Sequence, residues 1–260
     1  VRCFILFFLV GLLTFFSSVL NPTQPATSFL KCLSIQPNIS VYDKNDETFA
    51  EQFYRLQRDL SWEGVTKNPD FDMLVWAETM WPLPVVESGQ KGLMRRPWPG
   101  RDDEEIDFAL LQKIQSELVV DLLQPASREV YFLTGAHFYQ PVGVSSSPFE
   151  NDKYSKRSTD FVLFSSSGEL LEHFSKQMLV PFGETLPFGN KLPGSEIISD
   201  WCQSVFGLRP DFETSSKEGP LKLTKTLPKI GGAVCWENVF EKPFRTQSQR
   251  GAEAFIILSN

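Results

Sequence analysis

The sequence is poor in the residues that several common functions need. Its two histidines, His137 and His173, are too few for a multi-histidine zinc site. The four cysteines, Cys3, Cys32, Cys202 and Cys235, are widely spaced, so there is no Cys-x-x-Cys pair and no dense disulfide framework. Basic residues are outnumbered, 25 against 32 acidic, for a net charge of −7, and they form no long run. A nucleic-acid partner needs a basic stripe to neutralise phosphates, so the balance argues against one. There is no internal repeat and no low-complexity tract. What is present is a chain of 260 residues, 42% of them apolar, with 23 Phe. That is enough to bury a full core without covalent staples, as one large domain or two small ones.

The first segment has a different character. Cys3 to Leu20 (CFILFFLVGLLTFFSSVL) carries no charge for 18 positions, and Asn21-Pro22 closes the run. About 18 to 20 apolar residues are needed to cross roughly 30 Å of hydrocarbon as a helix. Residues 1–20 are therefore expected to form a transmembrane helix, followed by a linker over 21–29. A cleaved signal peptide competes with this reading, because Arg2 supplies a minimal n-region and Ser17-Ser18-Val19 offers small residues. A buried core helix is disfavoured because both faces are equally apolar. The chain begins with Val instead of Met, and its last apolar strand runs almost to Asn260. Both features read as truncation of a longer protein at each end.

From residue 30 onward, short apolar runs alternate with amphipathic stretches. Strands are expected at Leu30 to Ile35, Met73 to Ala77, Val130 to Tyr139, Thr159 to Ser165, Leu170 to Leu179, Gly231 to Trp236 and Ala254 to Leu258. Helices are expected over Asp46 to Leu60, with Phe49, Phe53, Leu56 and Leu60 on one face, and over Asp103 to Leu123, with acidic residues at its positive end. Two more are expected near Ser195 to Phe206 and Phe240 to Arg250. Thr79 to Arg101 reads as a long loop rich in Pro and Trp, and Ser166-Ser167-Gly168 as a hairpin turn. Strands alternating with helices and hairpins indicate an α/β layered domain over residues 30–260.

Three residues with reactive side chains share one context. Glu78 ends MLVWAE, Lys176 closes the Leu170 strand and Cys235 ends IGGAVC. Ligands of α/β sheets bind outside the carboxyl ends of the strands, where such residues converge. A thiol attacks as its thiolate, so acyl transfer by Cys needs a base and a cation nearby. A carboxylate can take the thiol proton, and an ammonium can hold the oxyanion of the tetrahedral intermediate. Glu, Lys and Cys thus form a chemically complete set without histidine, metal or cofactor. Taken singly, each has a plainer reading: a strand-end Cys as a small buried hydrophobe, and a lone Glu or Lys as a solvated edge residue.

The surrounding motifs are more specific. MLVWAETMWPLP, KQMLVPFGETLPFG and GGAVCWENVF, in this order, resemble the three signatures of the carbon–nitrogen hydrolase (nitrilase) superfamily. Gln36-Pro37-Asn38 and the run from Lys176 to Glu184 are similar to its apolipoprotein N-acyltransferase branch. The resemblance implies a four-layer α-β-β-α sandwich, incomplete at the C-terminus and preceded by a membrane helix. It implies Glu78 as general base, Lys176 as oxyanion stabiliser and Cys235 as acylated nucleophile, with Glu184 and Glu237 as supporting carboxylates. The plainer reading of both is structural, and for Glu184 it is favoured: a carboxylate beside the lysine that simply orients it. Trp236 stands where the family more often has Tyr.

The resemblance further implies that Cys235 takes an acyl chain from a membrane phospholipid as a thioester. The chain then passes to the N-terminal amine of a diacylglyceryl-cysteine apolipoprotein, at a bacterial inner (cytoplasmic) membrane, with the catalytic domain on the outer or periplasmic side. A lipid donor calls for an apolar, aromatic rim, for which Trp81, Trp98, Phe182, Phe188 and Trp236 are the candidates; the alternative for them is ordinary core or turn packing. The loop LMRRPWPGR from Leu93 to Arg101 reads equally as a membrane-interface contact or as a solvated loop. Two other functions stay open on sequence alone: a secreted or soluble amidase of the same superfamily, and a catalytically inactive binding module.

Overall fold

Four consecutive buried side chains, Met73 to Trp76, mark the centre of the molecule. A strand covered on both faces reads as an unbroken apolar run. The computed structural model describes residues 29–39, 50–90, 93–95, 105–140, 156–186, 194–206, 210, 212–215, 217–223 and 227–259. Its frame is a six-stranded sheet. Strands β1 (Cys32–Ile35), β2 (Met73–Trp76), β6 (Tyr131–Gln140), β7 (Lys156–Ser165) and β8 (Leu170–Ser175) lie side by side in that order, and β3 (Val85–Val86) pairs with the end of β6. β1, β2 and β6 are parallel, whereas β6, β7 and β8 form an antiparallel meander. β2, β6 and β8 therefore run in one direction and end on one edge.

Side chains alternate across a strand, so the sheet feeds two cores. On one face Leu74, Trp76, Phe132, Phe138, Val162 and Phe164 pack against helix α1 (Ala50–Lys67) and helix α2 (Phe108–Leu123) through Tyr54, Val65, Val119 and Leu122. On the other face Met73, Val75, Leu133, Phe161 and Leu163 pack against a parallel pair, β9 (Ile230–Val234) and β10 (Ala254–Leu258). Helix α4 (Glu241–Gln249) covers the far side of that pair, where buried Gln247 donates to the Gly232 carbonyl at 2.8 Å and accepts from its N–H at 2.6 Å. The layers run helix, sheet, sheet, helix. A two-stranded ribbon of β4 (Leu93–Arg95) and β5 (Glu105–Asp107) precedes α2, and helix α3 (Ser195–Phe206) lies between β8 and β9 in the chain.

Several elements differ from the sequence expectation. The helix expected from Asp103 begins at Phe108, because residues 105–107 pair with β4 and the Asp107 carboxylate caps the helix by accepting from the Ala109 N–H at 2.8 Å. The buried stripe of α1 is Tyr54, Gln57, Ser61 and Val65, while Leu56 on the expected face is 41% exposed. Polar complementarity explains the rotation: the Ser61 hydroxyl accepts from the Trp76 indole N–H at 2.9 Å and donates to the Gln57 carbonyl at 2.7 Å. No helix among the described residues is long and apolar enough to cross a membrane. The expected membrane helix (1–20), most of its linker, Trp98 and Phe188 lie outside the described residues.

Two glycines let the sheets close. A Cβ on Gly232 would stand 2.3 Å from the Phe161 ring and 2.4 Å from the Ile256 carbonyl, and one on Gly231 would meet Gln247 at 2.5 Å. Gly232→Ala is expected to destabilise the domain by about 1–3 kcal/mol through overpacking between the sheets, read from urea unfolding. An unchanged midpoint would show that the sheets tolerate a wider gap.

Candidate active site

Glu78, Lys176 and Cys235 each lie just past a strand instead of on its last residue. Glu78 is two residues beyond β2, Lys176 follows β8 directly, and Cys235 opens a 3-10 turn (Cys235–Val239) after β9. The backbone is forced at each approach. Thr79, Phe182 and Cys235 have φ of 45°, 63° and 54°, the left-handed region that non-glycine residues avoid. Such conformations cluster where surrounding structure must hold a side chain in one orientation.

Lys176 is fully buried, and an unpaired ammonium in that position would cost several kcal/mol. Two carboxylates compensate it. Its Nζ donates to Glu184 Oε1 at 2.8 Å and lies 4.0 Å from Glu78 Oε1. Glu184 is itself held, because its other oxygen accepts from the Val180 N–H at 2.8 Å. The Cys235 thiol hydrogen-bonds to Glu78, and the Trp236 N–H supports the sulfur. Burial pushes the thiol above its ordinary pKa, the Glu78 charge and hydrogen bond push it further, and Lys176 pulls the other way. Thiolate is therefore scarce at neutral pH. An attack by this sulfur needs its proton taken as the bond forms, and Glu78 is placed to take it.

Glu237 joins two of the three segments. One oxygen accepts from the N–H groups of Gln177 at 2.7 Å and Met178 at 3.2 Å, and the other from the Val234 N–H at 3.1 Å. Burial raises this carboxyl above its ordinary value, against the pull of the three amides and Lys176. The carboxylate staples the residues after Lys176 to the residue before Cys235.

Among the expected rim aromatics, Phe182 is 48% exposed and Trp236 is 36% exposed, with the Trp236 indole donating to the Met178 carbonyl at 2.9 Å. Trp81 corrects the expectation. The left-handed turn at Thr79 returns the chain into the protein, and Trp81 is buried among Tyr54, Trp76, Phe132 and Phe164. The sequence reading missed Gly135. A Cβ there would lie 2.9 Å from the Thr79 nitrogen and 3.0 Å from the Glu78 Cα, so β6 must be bare where the Glu78 turn crosses it. An isolated Gly inside YFLTGAHFYQ carried that signal, since glycine in a strand interior marks a close backbone approach.

No family model matches the chain. Two curated bacterial proteins, both named apolipoprotein N-acyltransferase, are similar to it. The one from Bdellovibrio bacteriovorus is 24% identical over 234 residues, 88% of this chain and 37% of that protein. The one from Chlamydia caviae is 27% identical over 214 residues, 78% of this chain and 34% of that protein. The chain thus spans little more than a third of the length of these relatives. A carbon–nitrogen hydrolase from Helicobacter pylori G27 superposes with a TM-score of 0.50 at 14% identity, covering 88% of this chain and 59% of that one. The fold is that of the carbon–nitrogen hydrolases. In sequence the chain resembles the apolipoprotein N-acyltransferases.

On this carbon–nitrogen hydrolase frame the electrostatics of the thiol are open to direct measurement. Glu78→Gln removes a charge that raises the Cys235 pKa, so the thiol should titrate lower than in the wild type. Lys176→Met removes the pull of the ammonium and should move the titration upward. The thiolate absorbance difference against Cys235→Ala reads both, and an upward shift in Glu78→Gln or a downward shift in Lys176→Met would contradict the arrangement.

Proposed function

We propose that the chain carries the catalytic domain of an apolipoprotein N-acyltransferase, working through a Cys235 thioester. The observation that carries this reading is the Glu78-bonded Cys235 thiol beside the buried Lys176 ammonium. Cys235 attacks the ester carbonyl of a phospholipid while Glu78 takes the thiol proton. Lys176 holds the oxyanion of the tetrahedral intermediate. Collapse breaks the ester C–O bond, Glu78 returns the proton to the departing alcohol, and the acyl chain remains on sulfur. The N-terminal amine of a diacylglyceryl-cysteine apolipoprotein then attacks the thioester carbonyl, Glu78 accepts the amine proton, and Cys235 leaves as the thiol with that proton. Neither half-reaction calls for a metal or cofactor.

Glu184 and Glu237 serve this chemistry by position, the first by pairing with Lys176 and the second by joining its segment to that of Cys235. A lipid donor is supported by apolar exposure close to the nucleophile. Phe182, Trp236 and Val239 are 48%, 36% and 72% exposed, an unusual cost beside a pocket meant for small polar amides. Membrane placement, at a bacterial inner membrane, draws on the uncharged run of residues 3–20.

The test is intact-mass analysis of the chain after incubation with phospholipid. One acyl chain should appear on Cys235 and transfer to a diacylglyceryl-cysteine peptide. Cys235→Ala should give none, and Glu78→Gln should slow acylation by roughly 10²-fold or more. Turnover of small amides without acylation by phospholipid would favour an amidase instead. Absence of both would leave an inactive binding module.

A further inference from the structure

The face of β8 opposite Lys176 carries a second set of charged groups that the proposed reaction does not use. Fully buried Asp160 on β7 accepts from the Ser158 hydroxyl at 2.6 Å and lies 2.6 Å from His173 Nδ1. The His173 ring is stacked on Phe138 with centroids 3.8 Å apart. Its Nε2 is 2.9 Å from Glu87 Oε2 and 2.7 Å from Lys217 Nζ, and that ammonium is 3.1 and 3.0 Å from the two Glu87 oxygens. The charged groups facing His173 are thus Asp160 from β7, Glu87 from the segment after β3, and Lys217.

Lys217 belongs to a strap, residues 212–215 and 217–221, laid along the outer edge of the sheet. The Glu213 N–H donates to the Arg157 carbonyl, and the Ser175 N–H donates to the Lys217 carbonyl at 2.9 Å. The Ser175 hydroxyl donates to that of Ser215 at 2.6 Å, and the Gln177 amide donates to the carbonyls of Ser175 and Ser215. The strap therefore grips the residues on both sides of Lys176.

We propose that Asp160, His173, Glu87 and Lys217 form a protonation-gated latch for this strap, which makes His173 and Lys217 positioning residues for Lys176. The hydrogen-bond inventory supplies the gate. A carboxylate only accepts, so the contact with Asp160 puts a proton on Nδ1. Nε2 faces an ammonium that only donates, Lys217 at 2.7 Å, and a carboxylate that only accepts, Glu87 at 2.9 Å, so it bonds to Lys217 when the ring is neutral and to Glu87 when the ring carries a second proton. With the ring neutral, Lys217 bonds to both Nε2 and Glu87. A second proton turns Nε2 into a donor toward Glu87 and sets two cations against each other, so Lys217 gives up Nε2 and its hold on the strap weakens. The latch itself is independent of the reaction proposed above; only the positioning of a catalytic lysine rests on that reading.

Site-resolved amide hydrogen exchange at Ser175, corrected for intrinsic pH dependence, tests the latch without any activity. Protection should be high with His173 neutral and fall by roughly tenfold once the ring is protonated, the effect of losing one charge-assisted hydrogen bond. Lys217→Met, at a half-exposed position, should lower protection to the same level throughout and remove its pH dependence, and Lys217→Arg should restore both. Flat protection in the wild type, or wild-type protection in Lys217→Met, would overturn the latch. Acylation of Cys235 insensitive to Lys217→Met would overturn the positioning role alone. A wild-type chain that shows the exchange behaviour but no acylation would support the latch and count against the acyltransferase reading.

Discussion

A charged lysine with no exposed surface is the constraint around which this domain is organised. Burial of the Lys176 ammonium is tolerable only with carboxylates at hand, and Glu184 and Glu78 supply them from two other segments. Those carboxylates need fixing in turn, which the Val180 amide does for Glu184 and the Cys235 thiol does for Glu78. Opposite charges brought together in a poorly solvated place interact strongly, so the groups that stabilise the lysine also set the state of the thiol. Stability and chemistry share the same contacts.

Backbone strain is the second ingredient. Non-glycine residues in the left-handed region cost on the order of 1–3 kcal/mol each, and three of them are Thr79, next to Glu78, Phe182, two residues before Glu184, and Cys235 itself. Packing compensates that cost. Bare Gly135 admits the Glu78 turn, Gly232 lets Phe161 reach across between the sheets, and Gln247 ties α4 to the strand that delivers Cys235. A side chain held this way is oriented in advance, so little conformational entropy is left to lose when it engages a partner.

The alternation of β8 divides the polar interior in two. Phe174 and then Lys176 face the β9–β10 layer and Cys235, while His173 and Ser175 face Asp160, Ser158 and the strap. Two ionic systems, one buried at Lys176 and one running from buried Asp160 and His173 out to half-exposed Glu87 and Lys217, thus sit back to back across one strand. The strap also pairs with the outer edge of β8 at its last residue, where the Ser175 N–H donates to the Lys217 carbonyl.

Local pattern made much of this legible. Apolar runs located five of the six strands of the main sheet and the β9–β10 pair, while β3 lies in the segment expected as a loop and β8 stops at Ser175, short of the expected Leu179. The motifs around Glu78, Lys176 and Cys235 singled out residues that lie just past three strand ends. Local pattern failed where a long-range contact decides: the α1 face turned to satisfy the Trp76 indole, the start of α2 ceded to a strand pair, and Trp81 drawn from an expected rim into the core. The sequence by itself determined which residue types stand at the strand ends and which faces are apolar, because those follow from a repeat of two or 3.6 residues. Only the tertiary structure decided that Glu237 bridges to the Gln177 amide, that Gly135 makes room for Glu78, and that His173 meets Lys217. Each of those depends on distances between segments far apart in the chain, which no local periodicity encodes.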